Sequence, residues 1–377
     1  MTDFLFNEMP HLSINEVIET LTNSYTTIIN NKVSITTFPS IMLWGQPGVG
    51  KSQAIRQIAN KLEINTKKKV NITDVRLLLF NPIDLRGIPV ANEEKTLAVW
   101  LKPKIFQMDE SNDVINILFL DEISSAPQSV QAAAYQITLD RTVGEHKLPD
   151  NCIVIAAGNR VTDKSVAYKM PKALANRLLH FEVESDYQNW KKWAIVNNIN
   201  PNVIGFLGFK ENYLNTFDPA KDNLAFATPR SWEMVSNVLN NVNGDIDQMY
   251  PLICGLIGSG IAIEFRTYVK VFKKIPNIED IANGKEVIVP KDPSIIYALC
   301  TSLTSYVSKH KNDIKSISNI IKYASNFPRD YSVMLMSDIL LIDKNLEDKL
   351  FKLPEFVKWA TNNSNKSSEM IHGVINK

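Results

Sequence analysis

Eight consecutive residues constrain this chain more than any others: Gly45-Gln46-Pro47-Gly48-Val49-Gly50-Lys51-Ser52. They fill every fixed position of G-x-x-x-x-G-K-[ST]. The run Ile41–Trp44 before them reads as a short strand, and residues 52–62 after them carry helical periodicity. Strand, glycine-rich turn and helix, in that order, make a cradle for phosphate. Glycines let backbone N–H groups curl around an anion, and the start of the helix adds its positive dipole. In such a loop Lys51 reaches the β- and γ-phosphates of a nucleotide and Ser52 holds Mg2+. A chance glycine-rich turn is the competing reading, and it leaves the flanking strand and helix unexplained.

A cradle of this kind needs a sheet behind it. Short apolar runs at 75–80, 115–120, 152–157 and 180–183 alternate with helical segments such as 128–139. Strands buried on both faces of a parallel sheet are apolar at nearly every position, as these are. The expected fold class is therefore α/β: a P-loop αβα sandwich with a parallel sheet, followed by an all-helical lid and a C-terminal helical extension. Ser13 and Glu16 have the spacing of a capping box, ahead of Ile14, Val17, Ile18, Leu21 and Tyr25 at helical spacing. Beyond residue 184 the strand signal nearly vanishes, and helical periodicity covers 186–196, 231–239, 261–272, 293–309 and 331–342. The expected domains are 1–184 for nucleotide binding, 185–275 for the lid and 276–377 for the extension. No internal repeat or low-complexity segment interrupts them. Residues 362–377, rich in Asn, Ser and Lys, read as a frayed end.

Composition narrows the partners. Hydrophobic residues make up 45% and charged residues 21% of the 377, the balance of an ordered globular protein. The formal net charge is +1, and the densest basic cluster, Lys67-Lys68-Lys69, reads as a solvated loop. Direct nucleic-acid binding is therefore not expected. Cys152, Cys254 and Cys300 are odd in number, widely spaced and set among apolar residues, which suits buried, reduced thiols. No apolar stretch reaches the roughly 20 residues of a spanning helix, so no transmembrane segment is expected. With no basic-then-apolar leader either, a cytoplasmic location is expected. The five histidines are scattered and no C-x-x-C occurs, which argues against a structural metal site. No Ser-His-Asp arrangement with an elbow motif suggests a second catalytic activity.

The apolar residues 117–120 end in Asp121-Glu122. A carboxylate at the C-terminal end of a parallel strand faces the ligand crevice. There Asp121 can order a Mg2+ shell and Glu122 can polarise an attacking water. Many strands end in solvated carboxylates, so the pair draws its meaning from the phosphate loop upstream.

Five segments, GQPGVGKS at 45–52, ILFLDEISSAP at 117–127, IVIAAGN at 153–159, PKALANR at 171–177 and ATPR at 227–230, together resemble the successive motifs of the MoxR family of AAA+ ATPases. The resemblance runs over roughly residues 38–232. It implies Mg-ATP as ligand and hydrolysis coupled to remodelling or maturation of a partner protein. It also implies a homo-oligomeric, hexamer-like ring and a client that in this family often carries a von Willebrand factor A type domain. By the same resemblance Asn159 is the sensor-1 residue, Arg177 the arginine finger offered to a neighbouring subunit, and Arg230 the sensor-2 arginine. Each residue has a plainer reading. Asn159 could simply end its strand in a turn, and Arg177 could be a helix-end cation. Arg230 follows Pro229 at the start of an expected helix, where the dipole disfavours a cation, and that misfit suggests a phosphate partner.

Residues 84–89 with 100–103 resemble the family's helix-2 insert, and 140–145 with 148–149 its pre-sensor-1 hairpin. Ordinary hairpins with Gly and Pro turns would read the same way. The chain departs from the commonest family pattern at Ser124-Ser125, where many relatives carry Asn-Arg, and at Gly158, where Gln is usual. Two other classes stay open: an AAA+ motor working on nucleic acid, and a nucleotide-gated scaffold that binds ATP without turnover.

Overall fold

The structure, a computed structural model, describes residues 9–160, 163, 170, 172–272 and 275–363. Most of the expected frayed end lies outside these residues. The chain divides into two compact units. The first runs to Ser185 and includes Phe217–Asp222, and the second takes Asp186–Thr216 and the described residues from Asn223 onward.

In chain order the strands of the first unit are β1 His11–Ser13, β2 Ile41–Trp44, β3 Lys69–Arg76, β4 Ile88–Ala91 and β5 Ala98–Leu101, followed by β6 Val114–Asp121, β7 Thr142–Val143, β8 His146–Lys147, β9 Cys152–Gly158 and β10 Leu179–Glu184. Its helices are α1 Ile14–Asn30, α2 Lys51–Thr66, α3 Pro82–Arg86, α4 Gln128–Asp140 and α5 Lys172–Ala175. Six strands form one parallel sheet in the order β1-β10-β2-β9-β6-β3. Alternate residues of the central strands enter cores on opposite faces. Leu118 and Leu120 join Met42, Val154 and Ala156 under Val130 and Ala134 of α4. Ile117 and Phe119 join Leu43 and Ile155 under α1 and α2, which supply Val17, Leu21, Ile55 and Ile58. Two covered faces explain why β6 and β9 carry almost unbroken apolar runs. This is the expected P-loop αβα layering.

Several expectations need adjustment. The apolar run at 75–80 is not one strand: β3 is Lys69–Arg76, and Leu77–Leu79 form a 3-10 turn that leaves Leu78 and Leu79 exposed. At the sheet edge β3 is largely exposed and only Val75 is fully buried, so polar residues break up its apolar run and hide the strand. The three-residue edge strand β1 was too short to show a period. Hairpins form where the two loop segments were expected, β4 with β5 and β7 with β8, both antiparallel. Leu85, within the segment 84–89 that resembles the family insert, is fully buried in the core cluster that also holds Phe106 and Val143. The capping box at α1 is present, with Glu16 N–H donating to Ser13 Oγ at 3.3 Å and Ser13 N–H donating to Glu16 Oε2 at 2.8 Å. Of the thiols, Cys152 and Cys300 are buried whereas Cys254 is half-buried. Burial pushes the Cys152 thiol up to about 11.

Among its described residues the second unit is helical, beginning with α6 Tyr187–Val196, α7 Pro201–Phe209 and α8 Pro229–Asn241 and ending with Pro354–Asn363. One hydrophobic cluster runs through it from Tyr187 to Trp359, so the helices on both sides of residue 276 share a core. Phe206 is an aromatic hub, with Phe265 at 5.3 Å and Trp232 at 5.6 Å between ring centroids. A buried ion pair crosses this unit: Lys191 Nζ lies 2.8 Å from Asp338 Oδ2. Burial drives the Asp338 carboxyl upward; on Lys191 burial works against the ammonium, and Asp338 together with Tyr297 more than offsets it. Removing one partner strands the other charge. Lys191→Ala should therefore lower the unfolding free energy by about 3–5 kcal/mol, while Lys191→Met combined with Asp338→Leu should recover most of it. Urea melts of the single and double variants read the difference.

Candidate functional site

Because β9 lies between β2 and β6, the loop leaving β2 and the carboxylates leaving β6 flank the end of β9. The register sets these ends level, with Trp44 opposite Gly158 and Leu120 opposite Ala156. Within the loop Gly48 has φ +80° and Gly50 φ +106°, left-handed conformations that a side chain would strain. Gly50 is the N-cap of α2 and offers no side chain to its first N–H groups. Those groups form the donor set that binds anions at helix starts.

Lys51 opens α2 and is only 9% exposed. Its Nζ donates to Gly45 O at 2.5 Å, to Gln46 O at 3.0 Å and to Asn159 Oδ1 at 3.3 Å. The ammonium thus bridges the loop and the end of β9. Ser52 Oγ donates to Asp121 Oδ2 at 2.9 Å, and Asp121 Oδ1 accepts Glu122 N–H at 2.9 Å. Glu122 has φ +59°, the left-handed region, which costs a residue with a Cβ about 1–2 kcal/mol. Its conformation turns the chain off the strand, and Ser125 and Ala126 N–H groups close the turn onto Glu122 O. Asn159 N–H donates to Ser124 Oγ at 2.9 Å.

Next to Asn159 lies a network absent from the sequence reading. Arg160 N–H donates to Asp163 Oδ2 at 3.0 Å, and its guanidinium bonds both Asp163 and Glu182, two carboxylates that are almost fully buried. Burial works against the guanidinium charge, and Asp163 and Glu182 more than restore it. His11 Nδ1 lies 2.7 Å from Glu184 Oε1, and its Nε2 lies 3.8 Å from Glu182 Oε2. His11, Glu182 and Glu184 thereby bring ligand atoms within 4.8 Å of one another. Arg160 and His11 already engage these carboxylates, so the group stands as an ion-pair network. No spacing rule could have found it, since His11 and Glu184 are 173 positions apart.

The structure brings together Lys51, Ser52, Asp121, Glu122 and Asn159. Arg177 is exposed in the turn between α5 and β10 and has no ion pair among the described residues. Pro171, in the same family motif, lies outside the described residues. Arg230 belongs to the second unit, where it is exposed at the second position of α8 behind a capping box of Thr228 and Ser231. The loop amides and the Lys51 ammonium suit phosphate oxygens. The Ser52 hydroxyl and Asp121 carboxylate form a pair of hard oxygen donors of the type Mg2+ prefers.

Residues 40–180, which include every one of the five clustered side chains, match the family described as ATPase family associated with various cellular activities (AAA). This segment is an AAA ATPase domain. No curated protein matches the chain. Among solved structures it is similar to NtrX of Brucella abortus, at 13% identity and TM-score 0.33, covering 80% of this chain and 64% of that one. It is also similar to a protein of Cytophaga hutchinsonii named as a suspected ATPase, at 13% identity and TM-score 0.30, covering 84% and 88%. A third is a point mutant of RuvB from Thermotoga maritima, at 14% identity and TM-score 0.36, covering 78% and 84%. The chain spans about 64% of the length of NtrX. Within the AAA domain no described helix is long and apolar enough to cross a membrane, and the same holds for the described helices of the second unit.

The β4–β5 hairpin of the AAA domain carries an exposed apolar surface. Ile88 and Leu101 are cross-strand partners and are 58% and 55% exposed. Together with Leu79, Ile83 and Ile105 they line a shallow groove.

Proposed function

We propose that the chain is a MoxR-like AAA+ ATPase that couples Mg-ATP hydrolysis in a ring of identical copies to remodelling or maturation of a client protein. One observation carries the reading: Lys51 reaches Asn159 while Ser52 reaches Asp121, at the level ends of adjacent strands and around Glu122. In this reading the amides of residues 45–52 and the Lys51 ammonium hold the β- and γ-phosphates. Ser52 and Asp121 hold Mg2+, which when bound neutralises charge on the phosphates. Glu122 accepts a proton from the attacking water, Asn159 orients that water, and Arg230 meets phosphate from the lid. Arg177, exposed and without an ion-pair partner among the described residues, serves the nucleotide of the adjacent copy. The near-neutral charge supports a protein client, with a von Willebrand factor A type domain as the family's example, and the thiols suit a reducing cytoplasm. Helices beyond residue 276 share the core of those before it, which supports a single lid body completed by the extension.

The phosphate and water roles separate by substitution. Lys51→Ala should abolish tight ATP binding, whereas Glu122→Gln should bind ATP normally and lose about 10²–10⁴-fold in hydrolysis rate. Parallel measurements of nucleotide affinity and phosphate release test this, and normal turnover by Glu122→Gln would remove Glu122 from its role.

The trans role of Arg177 has its own test. Arg177→Ala should bind ATP yet lose about 10³–10⁵-fold in rate. Mixed with Lys51→Ala, which keeps its own Arg177, it should partly recover hydrolysis. Proven subunit exchange with no recovery at any mixing ratio would refute donation between copies.

The client surface is assigned to the hairpin insert, on the strength of its exposed apolar residues. Replacing Ile88, Leu97 and Leu101 by Ser should leave basal ATP hydrolysis intact and remove its stimulation by client. Normal client binding by that triple variant would move the working surface elsewhere.

A further inference from the structure

We propose that Ser124 is a positioning residue for Asn159, and that Gly158 is its required neighbour. The inference rests on the role given to Asn159 above and extends it to two residues outside the groups assigned above to phosphate and metal. Between β6 and β9 the ladder continues one rung past the strand, where Ile123 N–H donates to Ala157 O at 3.0 Å. Beyond that rung the chain has already turned away at Glu122, whose φ is +59°. A continuing strand would offer a carbonyl to Asn159 N–H. The Ser124 hydroxyl stands in its place, accepting that N–H at 2.9 Å from a site only 2% exposed.

Ser124 is itself held. Gln131 Nε2, buried on α4, donates to Ser124 O at 3.1 Å and to Ala126 O at 2.9 Å, tying the turn to the helix beneath it. The hydroxyl therefore links two functional groups: the strained turn that presents Glu122, and the backbone that aims the Asn159 carboxamide at Lys51. Position 158 must leave room for it. A Cβ on Gly158 would lie 2.8 Å from Ser124 Oγ, 3.1 Å from Ser124 Cβ and 2.9 Å from Met42 Cε. The Met42 methyl end can move aside, but Ser124 is fixed by Gln131 and by the turn. Residues 124 and 158 thus meet in space and fit each other.

A kinetic cycle tests the proposal on the full-length protein, with ATP hydrolysis and ATP affinity measured for Ser124→Ala, Asn159→Ala and the double variant. Ser124→Ala should lower kcat by about 10- to 100-fold, the effect of a misplaced group, with ATP affinity retained. The double variant should be no slower than Asn159→Ala, because Ser124 acts only through Asn159. Gly158→Ala, which displaces the hydroxyl instead of deleting it, should show the same loss of kcat with retained affinity. Multiplying effects in the double variant, or a normal kcat for Ser124→Ala beside an impaired Asn159→Ala, would overturn the positioning role and leave the Asn159 assignment standing. A normal kcat for Asn159→Ala would overturn that assignment and this proposal with it.

Discussion

Placement of β9 between β2 and β6 governs the candidate site. Parallel pairing makes all three strands end on the same side, and their register makes them end at the same level. A loop of the right composition after β2 would be useless for the chemistry proposed if the carboxylates of β6 emerged a few residues higher. The pairing is enforced by burial. Consecutive side chains of β6 and β9 enter two separate cores, and a slip of one residue would exchange those two sets of side chains. Apolar packing on both faces is thus what sets the distances between Lys51, Asp121 and Asn159.

Polar groups at the strand ends are satisfied by a few specific partners. Asp121 spends one oxygen on Ser52 and the other on the amide of Glu122, so the same carboxylate holds the loop and stabilises the start of the turn. Glu122 remains in a strained conformation, and strain of this kind persists only where the surroundings over-determine it. Rungs to Ala157 and Ser124 on one side, and Gln131 beneath, supply that determination. On the far side of Asn159, Arg160 is locked between buried Asp163 and Glu182. The end of β9 is therefore fixed from both directions, which suits a residue proposed to orient water.

The second unit follows different rules. Its helices bury one continuous apolar cluster, and its principal internal charges, Lys191 and Asp338, pair with each other. Arg230 stands out there because it occupies the first turn of α8, where the helix dipole opposes it. Its neighbours Thr228 and Ser231 cap the helix, so the arginine is not needed to end it.

By itself the sequence determined the nucleotide loop, the acidic pair after an apolar strand, the α/β class of the first half and the helical class of the second. Each of these rests on local spacing, whose physical cause lies within a few residues. Edge strands were harder to read: β1 is too short to show a period, and β3 is largely exposed, with Val75 its one fully buried residue. Leu85 sits among turn formers in sequence, and only the tertiary structure places it in the buried core cluster with Phe106 and Val143. What the tertiary structure alone decided are the relations between distant segments: the strand order, the bonds of Lys51 to Asn159 and Arg160 to Glu182, and the fit of Ser124 against Gly158. The Lys51–Asn159 bond alone joins residues 108 positions apart, and such contacts exist only once a buried sheet has put its strands in order and in register.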